Sequence, residues 1–252
     1  MRHLFTADGE QALETVLGME PLLAFDFDGT LAPIVARPHE ALVPAAVTLG
    51  LERLAAELPV AIITGRSVAD VRPRLGFVPR YIIGNHGAED PDDPSPKEAS
   101  AALDALRLRI AERTEALRAV GVSVEDKTYS MALHYRLAPD EGAALQCIEA
   151  LLQGSAPMLT RFGGKCVVNV VAAGQPNKGD AIVTLVRRAN ARAAVFIGDD
   201  VNDEAVFVRA PAHWLTVRVG RDDPHSAAMF FLDSDAELAP VLERMLELRS
   251  RR

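Results

Sequence analysis

Apolar residues in this chain come in short runs that end in polar or glycine positions, at 22–27, 60–64, 81–84, 194–198 and 214–219. Runs of this kind predict strands. Between several of them the spacing turns helical, at 44–57, 67–75 and 178–188, and the last segment, 235–249, reads as a helix too. Strands alternating with helices predict a parallel sheet covered by helices.

The stretch PDDPSPKEAS breaks the alternation with prolines, acids and serines, which marks an exposed connection. Beyond it the order changes to a helix at 97–120, strands at 122–126 and 130–136, a helix at 140–152, and strands at 158–161 and 166–171. That order predicts a compact α+β insert, and AAGQPNKG, with its glycines and proline, marks the return. The expected fold class is therefore α/β, a Rossmann-like parallel-sheet core at 1–93 and 172–252 carrying an α+β domain at 94–171. There is no internal repeat or low-complexity segment.

Composition narrows the function classes. The 252 residues are 49% hydrophobic and 25% charged with a formal net charge of −8, which fits a soluble globular protein and argues against a nucleic-acid partner, since such affinity needs clustered Lys and Arg. Cys147 and Cys166 lie far apart with no metal-ligand spacing, so the expectation is two buried thiols in a reducing compartment. No apolar stretch is long enough to cross a bilayer and the amino terminus carries no leader pattern. The expected address is cytoplasmic, with no membrane partner.

The chemistry gathers at strand ends. LLAFDFDGTLAP delivers Asp26 and Asp28 two positions apart, and strand alternation would put both on one face. At the carboxyl edge of a parallel sheet two such carboxylates repel unless a cation or proton compensates, and a hard divalent ion suits them. A lone Asp-x-Asp also fits a solvated strand end. VFIGDDVNDEAVF repeats the design with Asp199, Asp200, Asn202 and Asp203; helix capping needs one such residue, whereas four stand within five positions. VAIITGRS places Thr64 and Arg66 at a strand end, where they serve either as a phosphate seat or as a helix cap with a solvent-facing arginine. Lys178 opens a predicted helix, where the dipole disfavours a cation unless an anion is present.

Taken in order around an insert, these segments resemble the four motifs of the haloacid dehalogenase-like phosphohydrolases, over residues 22–207. The resemblance implies that Asp26 is a nucleophile, Asp28 an acid/base, and Thr64 and Lys178 phosphate holders. It implies Mg²⁺ on Asp26, the Asp28 carbonyl and Asp199, supported by Asp200, Asn202 and Asp203. There is no Gly-x-x-x-x-Gly-Lys-Ser/Thr loop and no Gly-x-Gly-x-x-Gly fingerprint to favour a kinase or dehydrogenase.

DGTLAPIVARPHEA, GNHGAE, VEDKTYSMALHYR and GGKCVVNV look like the trehalose-6-phosphate phosphatase branch of that superfamily, whose lid is an α+β insert. Carried over, Asn85, His86, Glu125, Lys127, Arg136 and Lys165 become substrate-facing residues, joined by Arg66 from the strand-end phosphate seat, and the expected ligand is a small sugar phosphate. Asn169 departs from the pattern, standing where the branch usually has a glutamate. An amide accepts weaker hydrogen bonds from hydroxyls than a carboxylate does, so another glycosyl phosphate, such as a glycosyl-phosphoglycerate, remains an alternative substrate. A non-catalytic sugar-phosphate sensor is the competing class. The complete set of motif residues speaks against it.

Overall fold

Leu22 to Phe25, Val60 to Ile63 and Ala194 to Gly198 are buried along their whole length, as unbroken apolar strands must be when both sheet faces are covered. A computed structural model describes residues 1–35, 37–93, 97–155, 157–164, 166–221 and 223–251, with backbone alone for 97–100. The chain divides into two compact units, Met1–Gly87 with Pro176–Arg252, and Ala88–Gln175. The expected insert, 94–171, lies within the second unit, which begins six residues earlier and ends four residues later.

In chain order the first unit opens with β1 (Arg2–His3), α1 (Ala7–Leu17), β2 (Leu22–Phe25), α2 (Ala45–Ala55), β3 (Val60–Ile63), α3 (Val68–Val71) and β4 (Tyr81–Ile83). The second unit holds α4 (Lys97–Glu112), α5 (Thr114–Ala119), β5 (Ser123–Asp126), β6 (Ser130–His134), α6 (Glu141–Leu152), β7 (Leu159–Gly164) and β8 (Val167–Ala172). The first unit then resumes with α7 (Lys178–Arg188), β9 (Ala194–Gly198), α8 (Glu204–Phe207), β10 (Leu215–Val219), β11 (Phe230–Leu232) and α9 (Leu238–Ser250).

Sheet order in the first unit is β1-β11-β10-β9-β2-β3-β4 with every pairing parallel. From β2 the chain runs outward to β3 and β4, and from β9 it runs the other way to β10 and β11. The topological switch therefore lies between β2 and β9, where open parallel sheets bind their ligands. The second unit is an antiparallel sheet, β5-β6-β8-β7, with Met131, Leu133, Val168 and Val170 turned to a core that includes Leu103, Leu106 and Ile148.

Several elements differ from expectation. The helix expected at 97–120 breaks at Arg113, whose φ and ψ of −113° and 11° are not helical, and the Thr114 hydroxyl bonds back to the Ile110 and Ala111 carbonyls. The helix expected at 67–75 tightens into a 3₁₀ turn at Arg72–Arg74, where Pro73 has no N–H to donate. β1 and β11 went unpredicted because two or three residues are too short to show a period. Among the described residues no helix is long and apolar enough to cross a membrane.

Candidate active site

Strand pairing in β2 ends at Phe25, opposite Ile197, and the Asp26 amide donates to the Ile197 carbonyl at 2.9 Å. Asp26 thus sits at the switch point. Strand alternation stops there, because residues 27–32 form a turn in which Thr30 and Ala32 donate to the Phe27 carbonyl and Gly29 to that of Ala32. Asp26 and Asp28 consequently enter different surroundings instead of sharing a strand face. Asp26 is buried, while the Asp28 side chain is 43% exposed.

Gly29 makes that turn possible. Its φ is +80°, and a Cβ there would come within 2.2 Å of Asp199 Oδ2. The close approach brings the turn after β2 against the first acidic residue after β9.

Asp200 caps the short turn Val201–Asp203, accepting from the Val201 amide at 2.8 Å, and Asn202 Nδ2 donates to Asp200 Oδ2 at 3.0 Å. The Asp200 amide donates to Asp203 Oδ2 at 2.9 Å, which leaves Asp203 Oδ1 to accept from Lys178 Nζ at 2.8 Å. Lys178 also pairs with Asp26 Oδ1 at 2.9 Å. Lys178 is the first residue of α7, whose start is closed by a capping box between Asn177 and Asp180.

One oxygen from each of Asp26, Asp199 and Asp203 lies within 4.8 Å of the others, and all three residues are buried. Burial pushes the Asp26 carboxyl well above the usual carboxylate range; Lys178 opposes this, while Asp203 and Asp199 add to it. Burial also works against the Lys178 ammonium, but Asp203 and Asp26 outweigh it and hold the group charged. Three gathered carboxylates, two of them paired with the Lys178 ammonium, form a hard, oxygen-rich pocket that fits a divalent cation. Since both Asp203 oxygens are engaged by Lys178 and the Asp200 amide, Asp26 and Asp199 are the better-placed donors.

Thr64 follows β3 and is fully buried; its Oγ1 accepts from the Arg66 amide at 3.1 Å, so its own O–H is available to donate. Arg66, expected to face substrate, turns its guanidinium inward. Nε and NH2 grip both Asp28 oxygens at 2.7 Å, NH1 reaches Asp70 at 2.7 Å, and NH2 also donates to the Pro38 carbonyl at 2.7 Å. Asn85 and His86, also expected to face substrate, are buried in left-handed backbone with φ of 50° and 60°. Their amides donate to the Arg66 and Thr64 carbonyls at 2.8 and 2.9 Å, and the His86 ring fills the space where a Gly65 Cβ would stand, 2.4 Å from its Cε1. Such strain persists only where surroundings enforce it, and here it braces the turn carrying Thr64 and Arg66.

In the second unit, Glu125, Ala132, Asn169 and Phe162 form one cross-strand row, on the sheet face opposite the helix-packed core. Asn169 is buried. Glu125 accepts from His134 Nε2 at 3.1 Å and lies 3.6 Å from Lys127 Nζ, and the His134 hydrogen bond, with help from Lys127, holds its carboxyl below the usual range. Arg136 is exposed just beyond β6. Lys165 lies outside the described residues.

Sequence reading missed Arg218, which is 2% exposed within β10, opposite Gly198 of β9, and pairs with Glu204 at 3.3 Å. A charged residue inside the apolar run WLTVRV was the available signal. It also missed Asp70 and Arg74.

A family model described as Trehalose-phosphatase matches residues 24–234. The chain belongs to the trehalose-phosphatase family. Among its relatives, a trehalose-phosphate phosphatase of Mycolicibacterium paratuberculosis (strain ATCC BAA-968 / K-10) is 33% identical over 260 residues, covering 95% of this chain and 66% of that protein. The chain thus spans about two thirds of that relative's length. The C-terminal domain of C. albicans trehalose-6-phosphate phosphatase shares the fold with a TM-score of 0.76 and 22% identity, covering 95% of this chain and 96% of that one. A HAD subclass IIB sugar phosphatase, BT4131, does so with a TM-score of 0.59 and 18% identity, over 91% and 99% of the two chains. The trehalose-phosphatase chain therefore has a haloacid dehalogenase-like α/β fold, and the buried acidic cluster lies at its switch point.

Proposed function

We propose that the chain is a Mg²⁺-dependent phosphatase that releases phosphate from a sugar phosphate, trehalose-6-phosphate foremost, through a phosphorylated Asp26. The observation that carries this reading is the Asp26 carboxylate, buried at the end of β2, paired with Lys178 and beside Asp199. Asp26, the Asp28 carbonyl and Asp199 would hold Mg²⁺, which supplies charge neutralisation for two approaching anions.

The remaining steps belong to the chain's own groups. Lys178 offsets the negative charge of Asp26 and the phosphoryl oxygens, and the Thr64 hydroxyl donates to one of those oxygens. A carboxylate oxygen of Asp26 bonds to phosphorus as the bond to the sugar oxygen breaks. Asp28 gives that oxygen a proton, then takes one from the water that attacks the phosphorylated Asp26, restoring the free carboxylate. Asp203 and Asp200 hold Lys178 and each other in place. Sugar recognition we assign to the second unit, with Glu125, Lys127, Arg136, Lys165 and Asn169 as its residues. We place the reaction in the cytoplasm; the two thiols expected to be buried are not, Cys147 being half-buried and Cys166 exposed.

Asn169 favours one second reading, a phosphatase for another glycosyl phosphate. Phosphate release from a panel of sugar phosphates, with Mg²⁺ and again with a chelator, tests both. We expect release from trehalose-6-phosphate that stops with chelator and returns with Mg²⁺. Full turnover without metal would overturn the mechanism. Binding without release from any sugar phosphate would make the chain a sensor.

A further inference from the structure

Arg66 stands between two carboxylates. Its fork holds Asp28 through Nε and NH2, and NH1 holds Asp70 Oδ2, each at 2.7 Å. The guanidinium carbon lies 5.0 Å from the centre of the Phe27 ring, and the side chain is 9% exposed. Asp70 is shared in turn: its Oδ1 accepts from Arg74 NH2 at 2.7 Å and from Nε at 3.3 Å, and Arg74 NH1 donates to the His39 carbonyl. Asp70 lies in α3 and Arg74 in its 3₁₀ extension, and Arg66 reaches Asp70 from just before the extended N-cap Ser67.

We infer that Asp70 and Arg74 are positioning residues for Asp28, acting through Arg66. The inference rests on the proton-transfer role proposed for Asp28. As a helix-surface pair, Asp70 with Arg66 would contribute little. Here one partner is buried and already committed to Asp28, so Asp70 decides the plane in which the fork presents that carboxylate. A bidentate Arg–carboxylate contact fixes orientation as well as distance. The Asp28 side chain is 43% exposed, so the fork, rather than burial, sets how its carboxylate is turned.

The experiment measures kcat/KM for trehalose-6-phosphate, whose sugar oxygen leaves poorly without a proton, and for p-nitrophenyl phosphate, whose leaving group needs none. Asp70→Ala is expected to lower the first about 10-fold and the second less than about 2-fold. Asp70→Asn, which keeps the shape and loses the charge, should show the same split and serves if the alanine variant does not fold. In an Asp28→Asn background the Asp70 change should add less than about 2-fold, because its route to the reaction is already cut. Equal losses on both substrates, or an undiminished loss on top of Asp28→Asn, would reduce Asp70 to a structural role and overturn the inference. If Asp28→Asn leaves trehalose-6-phosphate turnover intact, the proposed role of Asp28 fails instead. Loss from Asp28→Asn with none from either Asp70 variant refutes the positioning chain alone.

Discussion

Asp26 is costly to the fold in the state that makes it useful. An ordinary unfolded aspartate releases its proton near pH ~4, whereas burial, Asp203 and Asp199 raise the folded value in spite of Lys178. A folded carboxyl with a raised value destabilises the protein increasingly as pH climbs from the unfolded value to the folded one. Asp26→Asn removes that penalty and keeps a hydrogen-bond acceptor for Lys178. In the presence of chelator the variant should therefore melt above wild type at pH 7, the gap closing as pH falls toward ~4, while phosphate release is lost. Thermal melts across that range check it. A variant that melts lower at pH 7 would mean that the Lys178 pairing outweighs burial. Lys178 itself has no such freedom, since removing it would leave Asp26 and Asp203 as unbalanced buried charges.

At the scale of elements, the site is a set of strand ends held by the turns that follow them. The turn after β2 closes against the one after β9 at Gly29 and Asp199, and the Asn85–His86 turn after β4 holds the one after β3. Gly29→Ala tests the first of these contacts. The new Cβ meets both a φ of +80° and the Asp199 carboxylate, so that carboxylate must move. The expected cost is about 1–3 kcal/mol of stability. We expect kcat to fall about 100-fold as well, because a misplacement of about 1 Å at a reacting centre is amplified that much. Steady-state kinetics alongside urea denaturation separate the two. A variant with wild-type kcat would show that Asp199 is free to shift without consequence.

At the scale of the whole molecule, the proposed phosphate chemistry draws only on residues of the first unit, and every expected sugar-facing lid residue belongs to the second. Asn169 is the sharpest probe of that division, being buried in the row with Glu125, Ala132 and Phe162. Asn169→Glu adds a methylene and a charge, with an expected cost of about 1–3 kcal/mol. It should change kcat/KM among sugar phosphates while p-nitrophenyl phosphate turnover stays unchanged, raising the value for trehalose-6-phosphate if a carboxylate at this place improves hydroxyl contacts. Uniform kcat/KM ratios across the panel would place position 169 outside the sugar-binding surface.

Much of this was legible from residues in sequence. Unbroken apolar runs ending in Asp26, Thr64 and Asp199 report buried parallel strands and the ends where the candidate site gathers, because period and residue type are local properties. Lys178 at a helix start was readable as a cation in the wrong place for the dipole, and its partners Asp26 and Asp203 supply the missing anions. Pairing was not legible. That Arg66 would grip Asp28, that Asp203 would use one oxygen on Lys178 and the other on an amide, and that Arg218 would be buried beside Glu204 depend on which groups the sheet order brings within hydrogen-bond reach. Spacing along a chain specifies which face a side chain leaves from; only the folded sheet decides what it meets, because a charge chooses its partner by distance and burial, and both are set by residues far away in sequence.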